Sequence, residues 1–262
     1  MRRVRSAATL IAAIALSAGA VTGCDKVAET LGRVTEVNQP YGRAPIITVD
    51  PPDASHASDP AVIEAARSVV KVRSVAHGCQ KILEASGVVI GQNRVMSNAH
   101  AVAGADSFSV SVGDQEYDAT VVSFDPNTDI SILNVPELQA PPLEFALGAA
   151  PTGTDALVLG YPDGGQFAAN PARVREVIEL SGPDIYQTTT VKREVYVIRG
   201  KVGHGDSGGP LIDLNSRILG ISFGAAVDDP ETGFVLTANQ VSGQMVGVHP
   251  DSPPVATGAC VT

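Results

Sequence analysis

Basic charge is scarce in this sequence. Its 262 residues carry 18 Lys and Arg against 28 Asp and Glu, a formal net charge of −10. Such a balance keeps the protein soluble and excludes nucleic acid as a partner. Strong helical periodicity is scarce too, which argues against a helical bundle. No internal repeat and no cluster of metal-ligand residues stands out, so no repeat array, metal or other cofactor is expected. Long apolar runs are confined to Ala7 to Ala20, a stretch too short to favour a permanent spanning helix. Cysteine is limited to three positions, Cys24, Cys79 and Cys260.

What is present is a hydrophobic content of 44%, ample for one globular unit or two closely packed barrels. Most apolar runs are short, rich in Val and Ile, and bounded by Gly, Pro, Asp or Asn, as at Gly87 to Ile90, Phe108 to Val112, Val195 to Ile198 and Ile218 to Phe223. Many short strands separated by turn signals indicate an all-β barrel or sandwich.

Arg2, Arg3 and Arg5 ahead of the run Ala7 to Ala20 have the layout of a secretory signal, residues 1–23. The run ends Val21-Thr22-Gly23-Cys24, which resembles a bacterial lipobox. In that reading Cys24 is lipidated and anchors the mature chain to the outer face of a membrane; an ordinary cleavable signal with a chance cysteine is the alternative. The leader takes three arginines and no acids with it, leaving the mature chain more acidic still. Residues 24–58, with Gln39-Pro40, Pro51-Pro52 and little periodicity, read as a flexible tether. Asp59-Pro60 then offers a helix cap and first-turn proline before Ala61 to Arg67, and Val69 to Val75 is the first strand. Setting Cys24 aside leaves the even pair Cys79 and Cys260, as an oxidising compartment favours. Two buried free thiols are the alternative.

The chemistry-bearing motif is Gly205-Asp206-Ser207-Gly208-Gly209-Pro210, one hydroxyl among glycines. A serine attacking a carbonyl creates an oxyanion, and main-chain N–H groups, here those of Gly205 and Ser207, can stabilise it. Glycine permits the backbone angles and the close approach. The serine also needs a base and a group to orient that base. Of five histidines, His56, His77 and His249 read as loop residues, and His204 as a wall of the substrate pocket. His100 closes the strand-to-turn segment Val95-Met96-Ser97-Asn98-Ala99-His100 and is the candidate base. Asp129 opens an alternating strand, so period-2 register turns its side chain away from Ile130 and Ile132. Its neighbour Asp125, before Pro126, reads as a turn-former. His100, Asp129 and Ser207 then complete a triad in which the acid fixes the tautomer of the base.

The segments Ser97 to His100, Thr128 to Leu133 and Gly205 to Pro210 resemble those of the chymotrypsin-like (trypsin-fold) serine proteases. The runs Val95 to Ala105, Leu157 to Gly165, Ser181 to Tyr186, Gly205 to Leu214 and Gly233 to Ala238 narrow the resemblance to the MarP group of mycobacterial periplasmic acid-resistance proteases. It implies an all-β protease domain over residues 59–262, built as two antiparallel six-stranded β-barrels. Barrel one runs over about 69–135 and barrel two over about 152–262, joined by the proline-rich crossover 136–151, with a short C-terminal helix after Thr237. It implies peptide-bond hydrolysis through an acyl-enzyme and includes the Cys79–Cys260 pair. By resemblance, Ser222-Phe223-Gly224 is the strand whose backbone pairs with an extended substrate, with plain barrel core as the alternative; Lys201, six residues before Ser207, reads either as a residue near the base of the primary pocket or as a solvated lysine. That group carries membrane-spanning helices ahead of its protease domain, whereas here only the leader and lipobox are found. The expectation is an extracytoplasmic, monomeric, lipid-anchored endopeptidase acting on envelope or secreted proteins. The alternatives are a catalytically silent protease-fold lipoprotein that binds peptide or cell-wall components, and an esterase on the same fold.

Overall fold

A computed structural model describes residues 47–261. The expected leader, Cys24 and the first part of the tether lie outside the described residues. Twelve strands form two closed barrels of six antiparallel strands each. The first contains β1 (Val69–Ala76), β2 (Lys81–Gly91), β3 (Arg94–Ser97), β4 (Ser107–Val112), β5 (Gln115–Asp125) and β6 (Ile130–Asn134). The second contains β7 (Asp155–Gly160), β8 (Ala168–Pro183), β9 (Thr190–Arg199), β10 (Pro210–Asp213), β11 (Ile218–Ala226) and β12 (Asp229–Thr237). Around the first barrel the order is β1-β2-β3-β6-β5-β4, and around the second β7-β8-β9-β12-β11-β10. The two barrels therefore share one topology, and closure removes the open sheet edges that would otherwise pair with other chains.

Successive side chains on a strand point to opposite faces, and here both faces are occupied. In the first barrel Val89, Val95 and Leu133 point inward with Val70, Val72 and Val110. Their sequence neighbours Val88, Met96 and Ile132 point outward and join Val195, Val197, Ile221, Phe223, Phe234 and Leu236 of the second barrel in a shared core. The interior of the second barrel holds Val158, Val174, Tyr196, Ile198, Leu211 and Val235. This double burial explains why the strands read as continuous Val/Ile runs rather than as strict alternation.

Short helices seal the barrels. Helix α1 (Pro60–Ala66) has its proline in the first turn and packs Val62 and Ala65 on Leu157, Leu159 and Ile212. Asp59 stands at the N-cap position, but its carboxylate makes no cap bond. It bonds instead to His56 Nδ1 at 2.8 Å, because the 3₁₀ turn Ala54–Ser58 brings that imidazole within reach. Further upstream, Arg199 Nη1 of β9 donates to Val49 O at 2.9 Å, so residues 47–58 run along the second barrel. Helix α2 (Ala238–Ser242) is capped by Thr237, whose Oγ1 accepts from Gln240 N at 3.1 Å. Its Val241 enters the shared core. Among the described residues no helix is long and apolar enough to cross a membrane, and no group of side chains is arranged to hold a metal ion.

Candidate active site

The histidine and the aspartate come from adjacent turns of the first barrel. β3 ends at Ser97, and Asn98 Nδ2 donates to Asp129 O at 2.8 Å while Ser131 Oγ donates to Asn98 O at 2.9 Å. These buried bonds hold the 97–100 turn against the start of β6. Both carboxylate oxygens of Asp129 then serve one residue: Oδ1 accepts from His100 N at 2.9 Å and Oδ2 pairs with His100 Nδ1 at 2.8 Å. With a carboxylate at Nδ1, that nitrogen carries the proton and Nε2 presents its lone pair. The Asp129 side chain is 6% exposed and the His100 side chain 12%. Asp129 is not aimed by strand alternation as the sequence suggested. It occupies the left-handed region at φ 64°, in a corner where its N–H donates to Asp125 O at 3.0 Å. Asp125 itself caps the corner by accepting from Asn127 N at 2.8 Å, a turn-forming role.

On the second barrel, the turn 204–208 is held by its carbonyls. His204 O accepts from Asp163 N at 2.8 Å, Asp206 O from Gly209 N at 2.9 Å and Ser207 O from Ser86 N at 2.9 Å, while Gly205 O accepts from Ser86 Oγ at 2.6 Å. All peptides are trans, so each carbonyl is antiparallel to the N–H that follows it. Fixing His204 O and Asp206 O therefore aims Gly205 N–H and Ser207 N–H to the opposite side. Neither donates to another group among the described residues. Gly205 stands at φ 84° and Gly208 at φ 83°, which favours glycine. A Cβ on Gly208 would lie 3.1 Å from Asn98 N and closer still to Ser86 O and Ser97 Oγ. The Ser207 turn is thus packed directly on the segment that delivers His100. Ser207 is 4% exposed.

The remaining sequence-selected residues divide. Ser222 is bonded on both sides, its N–H to Gly209 O at 2.9 Å and its carbonyl to Gly208 N at 2.8 Å. The Phe223 side chain lies in the shared core and packs against Phe234. β10 accompanies β11 only as far as the Pro210 and Ile221 pair, and Phe223 and Gly224 beyond it are both buried. His204 and Lys201 are exposed, and the His204 carbonyl accepts from Asp163 N of the 162–164 turn. Asp206 is buried, with Oδ2 accepting from Gly203 N at 2.9 Å and Oδ1 without a partner among the described residues. Cys79 and Cys260 are joined in a disulfide with Cα atoms 6.5 Å apart.

Two residues that the sequence did not single out bind this region across the barrels. Ser86 of β2 contacts the Ser207 turn, and Arg193 of β9 contacts the corner that carries Asp129. Arg193 stands in the charged triplet Lys192-Arg193-Glu194 ahead of the apolar run Val195 to Ile198, where nothing marks it out from its neighbours. Nothing local distinguishes Ser86.

Residues 85–221 match the family described as trypsin-like peptidase domain. The chain belongs to the trypsin-like peptidase family. It is 55% identical over 227 residues to serine protease Rv3671c (MarP) of Mycobacterium tuberculosis, covering 86% of this chain and 57% of that protein. The chain thus spans little more than half the length of that relative. The crystal structure of the Rv3671c protease in its active form superposes with a TM-score of 0.82 at 55% identity, covering 86% of this chain and all of that one. A probable periplasmic serine endoprotease, DegP-like, of Brucella suis is 28% identical over 181 residues, 63% of this chain and 33% of that protein. The chymotrypsin-like fold and the MarP-type resemblance read from the sequence are borne out.

Proposed function

We propose that this trypsin-like peptidase is an active extracytoplasmic serine endopeptidase of the cell envelope, using Ser207, His100 and Asp129 as its triad. His100 Nε2 takes the proton of Ser207 as its oxygen attacks the substrate carbonyl. The resulting oxyanion is stabilised by Gly205 N–H and Ser207 N–H, and Asp129 steadies the imidazolium. The proton then passes to the leaving amine, and water, deprotonated by the same imidazole, releases the acyl group from Ser207. An extended peptide pairs with the β11 backbone at Phe223 and Gly224, past the point where β10 ends its pairing. The observation that carries this reading is the pair of undonated N–H groups at Ser207, beside a histidine whose Nδ1 is committed to Asp129.

Cys24 would anchor the protein outside the membrane, a location in keeping with the disulfide and with a periplasmic relative. The decisive experiment is fluorophosphonate labelling of the purified protein, with Ser207→Ala and His100→Ala in parallel and mass mapping of the adduct. Labelling at Ser207 that both substitutions abolish is the expected result. Folded, oxidised protein that does not label would sink the proposal in favour of a silent peptide-binding lipoprotein. Metabolic labelling with a fatty acid, lost in Cys24→Ser, tests the anchor separately.

A further inference from the structure

We infer that Ser86, a residue of the first barrel, is a positioning residue for the oxyanion hole on the second; this rests on the triad reading above. Ser86 is fully buried in β2 and makes three bonds to the other barrel. Its N–H donates to Ser207 O at 2.9 Å, its Oγ donates to Gly205 O at 2.6 Å, and the same Oγ accepts from Tyr161 N at 2.8 Å. A hydroxyl has one proton. With Tyr161 N–H on a lone pair, that proton is directed to Gly205 O. Ser86 is itself fixed from behind, its carbonyl accepting from Ser97 Oγ at 2.7 Å.

The bonded carbonyls of Gly205 and Ser207 bracket the Asp206–Ser207 peptide that supplies one oxyanion donor, and Gly205 supplies the other. Gly205 lacks the Cβ that would restrict rotation of its peptides, and it stands at φ 84°. A rotation of its peptides would turn Gly205 N–H out of the site. Ser86 Oγ is the side-chain group that holds the Gly205 carbonyl, and the fold makes room for it. A Cβ on Gly160 would lie 2.8 Å from that oxygen. Ser86 thus couples the barrel that carries the base to the backbone that stabilises the transition state, without touching substrate.

The test is Ser86→Ala, assayed on the oxidised full chain with a fluorogenic peptide and a fluorophosphonate. An oxyanion donor that is aimed poorly costs transition-state stabilisation rather than substrate binding. The expected result is a fall in kcat of about tenfold to a hundredfold with KM changed less than about threefold, and a matching fall in phosphonylation rate. Peptide affinity measured in a Ser207→Ala background should not change on adding Ser86→Ala. Ser86→Cys, which keeps a side-chain donor but a weaker and bulkier one, should fall between the two, and it carries the same test should the alanine variant not fold. A kcat within twofold of the parent, or a loss confined to KM and peptide affinity, overturns the inference. A parent protein that neither labels nor cleaves overturns the triad reading and this inference with it, an outcome visible before any Ser86 variant is compared.

Discussion

Arg193, on β9 of the second barrel, donates through Nε to Asn127 O at 2.7 Å, two residues before Asp129 on the first. Its Nη1 also donates to Pro183 O at 3.0 Å, and its guanidinium lies 6.0 Å from the centre of the Phe223 ring. The residue is 5% exposed. Burial pushes its pKa down, while Asp129, Asp125 and Asp184 pull it back up. An arginine so placed stays charged and spans two carbonyls with a planar fork that lysine does not possess.

Arg193→Met should therefore strip both carbonyls of a charged donor. Hydrogen bonds to charged groups contribute about 1.5–3 kcal/mol, so thermal unfolding should fall by several degrees. With the Asp129 corner freed from the second barrel, kcat/KM should drop about tenfold, as about 1.4 kcal/mol of misplacement implies. Arg193→Lys should recover part of the stability and less of the activity. Wild-type kcat/KM in folded Arg193→Met protein would mean that the bonds within the first barrel alone hold the corner.

Asp184 predicts an acid-sensitive hairpin between β8 and β9. Burial opposes its ionisation, yet bonds from Thr188, Thr189 and Tyr186 outweigh burial and bring its pKa from 3.8 down to about 2. The loop it organises rests on the corner that carries Asp129, since Ile185 N donates to Pro126 O at 3.3 Å. A carboxylate whose folded pKa is depressed contributes stability that is complete above its unfolded value, near pH 4, and lost as pH falls toward 2. Asp184→Asn should be less stable than the parent at pH 6, and the difference in urea midpoint should close between about pH 4 and 2.

The sequence was most legible where chemistry is local. Gly205 to Pro210 and Ser97 to His100 are contiguous motifs, and the second reads as a base only because the serine loop downstream needs one. The strands were legible in their Val/Ile content, and their number only through the family resemblance, but Val88 and Val89 give no hint of which faces its own barrel and which faces the other. Asp129 does bond to His100, but its direction comes from a left-handed corner and not from alternation. Asp59 was assigned a cap that competition from His56 removes. Ser86 and Arg193 were invisible because their partners lie 119 and 66 residues away, and no periodicity encodes a bond between barrels.

Asp206 carries the opposite linkage to Asp184. Burial raises its pKa, with Asp163 adding to the effect and the bond from Gly203 N offsetting part of it. A carboxylate whose folded pKa is raised costs stability once both states are ionised, and the cost disappears as pH falls below the unfolded value near 4. Asp206→Asn keeps an acceptor for Gly203 N and removes a buried charge that has one oxygen unpartnered. The variant should melt a few degrees above the parent at pH 7, with the gain vanishing toward pH 4. A variant that melts lower at pH 7 would show that the carboxylate recruits a partner in solution.

The Cys79–Cys260 bridge returns the C-terminal tail, which follows the second barrel, to the first. Gly104 N donates to Thr257 O at 3.1 Å, Val255 N to Val121 O at 2.8 Å and Lys81 Nζ to Val261 O at 2.7 Å. Val261 packs on Ala99 and Ala103, on either side of His100. The bridge closes a separation of 181 residues, for which the chain-entropy argument gives about 5 kcal/mol as an upper figure. Cys79→Ser should therefore lower stability by about 2–4 kcal/mol in urea titrations, and activity should fall with it as the tail leaves the His100 turn. Gly104→Ala should do comparable damage with the bridge present. Its φ is 69°, and a Cβ would sit 2.6 Å from Cys260 N and 2.7 Å from Cys260 Sγ. The two variants separate the contributions: reduction should destabilise the parent strongly and Cys79→Ser not at all. Unchanged turnover after verified reduction of the parent would show that the tail's hydrogen bonds suffice to hold the His100 turn.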